Sequence, residues 1–120
     1  LKLKKEDKLV VFVEKLLPNV SFLGPKEQKS PERVLRIANF AFVCTVTQHK
    51  FLKEVIEESI KRLETIISEN NKELTEEDIL WCCGPDVITS VYHDSHKKYD
   101  DILLLDSTYI NHFAYGSWRF

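Results

Sequence analysis

Four groups of side chains in this chain have the types and spacing to do chemistry. The first is the tail Asn111-His112-Phe113-Ala114-Tyr115-Gly116-Ser117-Trp118-Arg119-Phe120. Chain ends are usually polar and frayed, so these rings must bury against something. The tail either docks on the core or closes over a ligand. For a ligand, His112 supplies an imidazole, Ser117 a hydroxyl and Trp118 an indole N–H beside a large apolar face. The second group is Gly84-Pro85-Asp86. Proline at a first helical position and an acid beside it are helix-start features. Free amides at such a start can face a phosphate or sugar, but a lone Gly-Pro is a weak signal that helix capping alone usually explains. The third is Asn39, set among Ile37, Phe40 and Phe42. An amide buried in an apolar strand needs partners, either neighbouring backbone or a ligand beyond the strand's end. The fourth is His93-Asp94-Ser95-His96 with Cys82-Cys83. Its spacing departs from the usual zinc patterns, and neither zinc nor a Cys–His nucleophile pair is expected there.

The elements that must position these groups follow from periodicity. Leu9-Val10-Val11-Phe12-Val13 is a short β-branched run, read as a buried strand. Proline, glycine, asparagine and serine punctuate residues 18–31, read as loop. Strand formers dominate from Ile37 to Val46, interrupted by Asn39. Over residues 50–68, Phe51, Leu52, Val55, Ile56, Ile60, Leu63, Ile66 and Ile67 recur at the spacing of one buried helix face. Glu54, Glu57, Glu58, Lys61, Arg62 and Glu64 fill the opposite face. Thr75-Glu76-Glu77-Asp78 fits a capping box. Ile79-Leu80-Trp81-Cys82-Cys83 is either that helix's buried end or an extended segment. A further helix spans about 85–96 with Val87, Ile88, Val91 and Tyr92 inward, and Ile102-Leu103-Leu104-Leu105 is another short strand. Strands alternating with helices predict an α/β domain, or part of one.

Composition narrows the partners. The 120 residues are 43% hydrophobic and 30% charged, with only three Gly and four Pro, which excludes collagen-like and wholly disordered chains. The net charge of −2 provides no basic field, so nucleic acid is not expected as a partner. No apolar run approaches the ~18 residues of a membrane span. Cys44, Cys82 and Cys83 are an odd count and do not make a disulfide framework. With no Met and a start at Leu1, the chain is expected to be a piece of something larger.

Three pieces line up in order: Arg36-Ile37-Ala38-Asn39-Phe40-Ala41-Phe42, then Cys83-Gly84-Pro85-Asp86-Val87-Ile88-Thr89, then His112-Phe113-Ala114-Tyr115-Gly116-Ser117-Trp118. An amphipathic helix lies between the first and second. This order resembles the C-terminal half of the glycosyltransferase family named for its sugar-binding region with an Asp-x-Asp motif. That family includes initiating α-1,6-mannosyltransferases, inositol phosphoceramide mannosyltransferases and bacterial capsular sugar transferases. The resemblance covers roughly residues 33–119. Cys83 departs from it, since the family usually has Thr before Gly-Pro, and this alters packing more than chemistry.

The resemblance implies the C-terminal half of a GT-A type nucleotide-diphospho-sugar transferase fold. Residues 1–120 would be a single domain, the C-terminal part of a larger catalytic domain. The implied reaction transfers a sugar from a UDP- or GDP-sugar to a glycan or lipid-linked acceptor. It retains the anomeric configuration and is assisted by Mn²⁺ or Mg²⁺. Asn39 and Trp118 would be catalytic, Asn39 near the donor sugar or metal and Trp118 on a closing tail that contacts metal, diphosphate or the glycosidic oxygen. Gly84, Pro85, Asp86, Ser117 and Trp118 would bind substrate, and His112 and Ser117 would face the metal or diphosphate. A metal and fixed donors would stabilise the charge that builds on the departing diphosphate. No Asp-x-Asp occurs in these residues, so the isolated piece is expected to be inactive. Free cysteines point to a bacterial-type cytosol, and the Asn19-Val20-Ser21 sequon and the yeast relatives to a Golgi lumen with an anchor outside this piece. The alternative is a non-catalytic α/β interaction domain whose aromatic tail docks on its own core or on a partner.

Overall fold

The β-branched run near the start of the chain becomes β1 (Leu9–Leu16), and the Asn39-containing run becomes β2 (Leu35–Cys44). A computed structural model describes residues 3–16, 35–69 and 73–110. After β2 come three helices, α1 (Lys50–Glu69), α2 (Glu76–Cys83) and α3 (Pro85–Ser95). A 3₁₀ turn (His96–Lys98), strand β3 (Ile102–Leu105) and a second 3₁₀ turn (Ser107–Tyr109) complete the described chain. The sheet order is β2-β1-β3, with β1 antiparallel to β2 and parallel to β3. This is a mixed α/β architecture, and its parallel pair is bridged by helices as parallel strands require.

Each helix starts where local chemistry dictates. The Thr75 hydroxyl accepts from the Asp78 amide, and the Asp78 carboxylate accepts from the Thr75 amide, a reciprocal capping box that opens α2. Residues 79–83 are helical and not extended, but of the five only Cys82 is buried, so this is not the buried helix end expected. At α1, His49 takes the capping role. Its Nδ1 accepts from the Phe51 amide at 3.1 Å, so Nε2 carries the ring hydrogen and donates to the Asp101 carboxylate, also at 3.1 Å. That one imidazole ties the start of α1 to the approach of β3. Nearby, Glu54 accepts from Lys98 and from the Tyr99 hydroxyl. Those bonds, Lys98 first, hold the Glu54 carboxyl below its usual range. Burial, with Glu54 adding to it, pushes the Tyr99 phenol up to about 12.

The core gathers Leu9 and Val11 of β1, Ile37 of β2, Phe51 of α1, and Val87, Ile88, Val91 and Tyr92 of α3. Helix α3 is the most enclosed element, with residues 85–92 all buried. It packs chiefly on β2, and the seam is pinned by the Thr89 Oγ1, which accepts from the Ile37 amide at 2.9 Å in the interior.

Helix α1 departs from the single buried face expected of it. Phe51 and Ile66 are buried, whereas Ile56, Ile60, Leu63 and Ile67 are 60%, 53%, 38% and 62% exposed. Arg62, expected on the outer face, is buried instead. The apolar stripe is wider than the contact available, and Arg62 takes the inner edge because it is fully served there. Its guanidinium donates to the Trp81 carbonyl and the Ser90 hydroxyl, pairs with Glu58, and lies 4.9 Å from the Trp81 ring centroid.

Replacing Thr89 by Val keeps the shape at the α3–β2 seam and strands the Ile37 amide. A loss of about 1–3 kcal/mol follows, read in urea unfolding as a lower midpoint at unchanged slope.

Candidate functional site

The site begins with an irregularity in β2. Val11 faces Phe42 and Val13 faces Ile37, so residues 38–41 stand opposite the single residue Phe12. A bulge of this kind bends its strand and re-aims side chains. Burial changes across it: Arg36, Ile37 and Ala38 are buried, whereas Asn39 and Phe40 are exposed. Asn39 therefore does not hide its amide inside the strand.

The second component is the turn between α2 and α3. A Cβ on Gly84 would lie 2.9 Å from the Leu80 Cα and 3.0 Å from its carbonyl oxygen. Only glycine lets the two helices meet this closely. Pro85 then starts α3 at a position that needs no amide. The turn spends two of its amides on its own backbone. The Gly84 amide donates to Leu80, the Val87 amide donates to the Gly84 carbonyl, and Pro85 has none.

Asn39 and Gly84 line one groove, closed by Phe42 of β2, Leu52, Val55, Ile56 and Ile60 of α1, Cys83, and Val87 and Ile88 of α3. Its volume is about 380 Å³, within the range of small-molecule sites. The lining is aliphatic and aromatic, with Asn39 among the few polar groups. Ser59 is another, and its hydroxyl donates to the Cys82 carbonyl.

Asp86 and Pro85 are placed differently from the substrate-facing roles the resemblance implies. Both are buried, Asp86 completely. The Asp86 carboxylate turns toward β2, where Arg36 Nη1 stands 3.6 Å from its Oδ1. Arg36 Nε also donates to Glu14 of β1 at 3.3 Å. Of the three residues in the motif, Gly84 alone reaches the groove. His112, Ser117 and Trp118 lie outside the described residues, as do the loop at 18–31 and the Asn19 sequon.

The His93–His96 segment makes backbone contacts. His93 Nε2 lies 3.3 Å from the Leu35 carbonyl oxygen, and His96 Nδ1 lies 2.8 Å from that of Tyr92. Among the described residues no three His, Cys, Asp or Glu side chains are grouped to hold a metal ion. No helix among them is long and apolar enough to cross a membrane.

Compared with family models, curated proteins and solved structures, the chain matches none.

Sequence reasoning missed the partners that hold the groove's two walls together. Thr89 and Arg36 entered the sequence reading only as members of the ordered motifs, with no partner assigned to either. Arg36 is the only charged residue of β2, but its burial depends on Glu14 and Asp86, which lie far from it in sequence.

The groove's rim has a reactivity signature. Cys83 is exposed, whereas burial first and the neighbouring Cys83 second push the Cys82 thiol up to about 11. Near pH 8 a maleimide should label Cys83 and spare Cys82, because the thiolate is the nucleophile. Labelling of the Cys83→Ser variant at Cys82 should stay slow near pH 8, because burial, the first cause of the raised thiol pKa, remains. Equal rates at the two positions near pH 8, measured by mass spectrometry on the single-serine variants, would contradict the assignment.

Proposed function

We propose that this chain carries the C-terminal portion of a GT-A type glycosyltransferase that moves a hexose from a UDP- or GDP-sugar to a glycan or lipid-linked acceptor. The single observation that carries the reading is the meeting of Asn39 and Gly84 on one groove. These residues belong to the first two of the three ordered motifs. They come from different elements, and they meet through a β2 bulge and a glycine-only helix junction. Bulges of this sort are over-represented beside active sites.

Under this reading Asn39 offers an amide that can both donate to and accept from a sugar hydroxyl. Phe42, next along the same wall, supplies a flat apolar surface against which a sugar ring or an acceptor's apolar part can lie. Gly84 keeps the opposite wall low. The diphosphate contacts fall to His112, Ser117 and Trp118, where an imidazole, a hydroxyl and an indole N–H would neutralise a leaving group's charge. Mn²⁺ or Mg²⁺, when bound, would supply further charge stabilisation. The described residues do not offer a set of ligands for it; the resemblance assigns the metal to His112, Ser117 and an Asp-x-Asp motif. The sequence has no Asp-x-Asp, and the isolated chain is proposed to be inactive for that reason. A bacterial-type cytosol suits the free cysteines, and a Golgi lumen suits the sequon.

One observation favours a second reading. The row Ile56, Ile60, Leu63 and Ile67 lies open on α1, as it would in a non-catalytic interaction domain. The two readings part on activity. In the full-length protein, His112→Ala, Trp118→Ala and Asn39→Ala should each reduce sugar transfer or donor hydrolysis by about ten-fold or more, the usual cost of losing a transition-state contact. Wild-type rates in all three variants would leave only the interaction domain standing.

A further inference from the structure

The groove's two walls come from elements that share no covalent connection nearby, so something must fix their separation. We propose that Arg36 and Asp86 are positioning residues for this groove. Their buried ion pair holds the bulge carrying Asn39 against the helix start carrying Gly84, and Asp86 does not itself touch substrate. The consequence for catalysis rests on the transferase reading, whereas the geometric claim does not.

The placement supports this directly. Arg36 sits three residues before Asn39, between that bulge and the N-terminal end of β2, and pairs with Lys15 across a second register shift that leaves Glu14 as the extra residue on β1. Asp86 sits two residues after Gly84, in the first turn of α3. The Asp86 side chain is 0% exposed and that of Arg36 3%. Arg36 faces Asp86 through Nη1 and Glu14 through Nε. A guanidinium has its donors in a rigid planar fork, so meeting two carboxylates fixes its plane. Burying any of these charges is costly unless the others stay in place, which opposes displacement of one wall relative to the other. The positive end of the α3 dipole favours the Asp86 carboxylate at this point in the helix. One residue further along β2, Thr89 accepts from the Ile37 amide. The β2 stretch entering the bulge is thus held to α3 by an ionic contact and by a neutral one.

A lysine at position 36 keeps the charge and loses the fork. An asparagine at position 86 keeps the shape and loses the charge. The test uses the full-length protein labelled with ¹⁵N-glycine and ¹⁵N-asparagine, as wild type, Arg36→Lys and Asp86→Asn. If a single variant does not fold, Glu14→Gln/Arg36→Met/Asp86→Leu takes its place, since apolar replacements of buried ion groups are commonly tolerated. The Asn39 and Gly84 amide resonances are expected to shift together in every folded variant. Turnover of a UDP- or GDP-sugar is expected to fall by about ten-fold or more in kcat, with the donor KM within about two-fold of wild type. The two single substitutions combined should cost little more than either alone, because they break one contact. Unmoved Asn39 and Gly84 resonances would overturn the proposal. So would a raised donor KM at unchanged kcat, which would make Asp86 a ligand. If the wild type turns over neither nucleotide sugar, the resonances still decide the positioning claim, and only the transferase reading falls.

Discussion

The seam between the first turns of α3 and the first half of β2 is the constraint on which the rest of the structure depends. A neutral hydrogen bond from Ile37 to Thr89 and an ionic contact from Arg36 to Asp86 sit within it, both out of water. Backbone amides and charges are expensive to bury unless each finds a partner, so these contacts specify how helix and strand fit as well as adding to stability. Everything that defines the groove follows from that fit. The bulge begins immediately beyond the held stretch of β2, Gly84 immediately precedes the held turn of α3, and Val87 and Ile88 become its floor.

Helix α1 closes the groove's other side and shows how far a simple amphipathic pattern can mislead. Eight apolar residues in its sequence suggest one wide buried face. Contact with α2 and α3 uses only part of it, because Arg62 occupies the inner edge and is satisfied there by Trp81 and Ser90. The remaining row from Ile56 to Ile67 is left open. Its upper members, Ile56 and Ile60, form a groove wall, so the site's apolar character and the helix's exposed stripe have the same origin.

Much of the fold was legible in the sequence because it was written in local signals. The β-branched run at Leu9, the 3.6-residue period from Phe51, the Thr75–Asp78 box and Pro85 each act within a few residues, and each element appears where those signals put it. The site was less legible. Asn39 was recognisable as an anomaly in an apolar strand, yet its exposure comes from a register jump against Phe12, which depends on pairing between distant segments. Gly84 looked like a helix start offering amides, whereas its amide is spent on Leu80 and its role is close approach. Asp86 read as a helix-start acid and, through the resemblance, as a substrate-binding residue. Its burial required knowing that Arg36 lies across from it. Long-range partners of this kind leave no periodicity to read.

We propose that this α/β unit forms part of a nucleotide-sugar site, on the strength of the ordered motifs and of the groove where two of them meet. A ligand that binds only the folded state must stabilise it, by about 2.7 kcal/mol at a concentration one hundred times its Kd. Thermal unfolding of the full-length protein, with and without UDP- and GDP-sugars plus Mn²⁺, tests this most directly. The account predicts a rise in Tm of several degrees with one of the two nucleotides, about 2–4 °C per kcal/mol for a domain of 150–250 residues. An unchanged Tm with both, at millimolar concentrations, would contradict it.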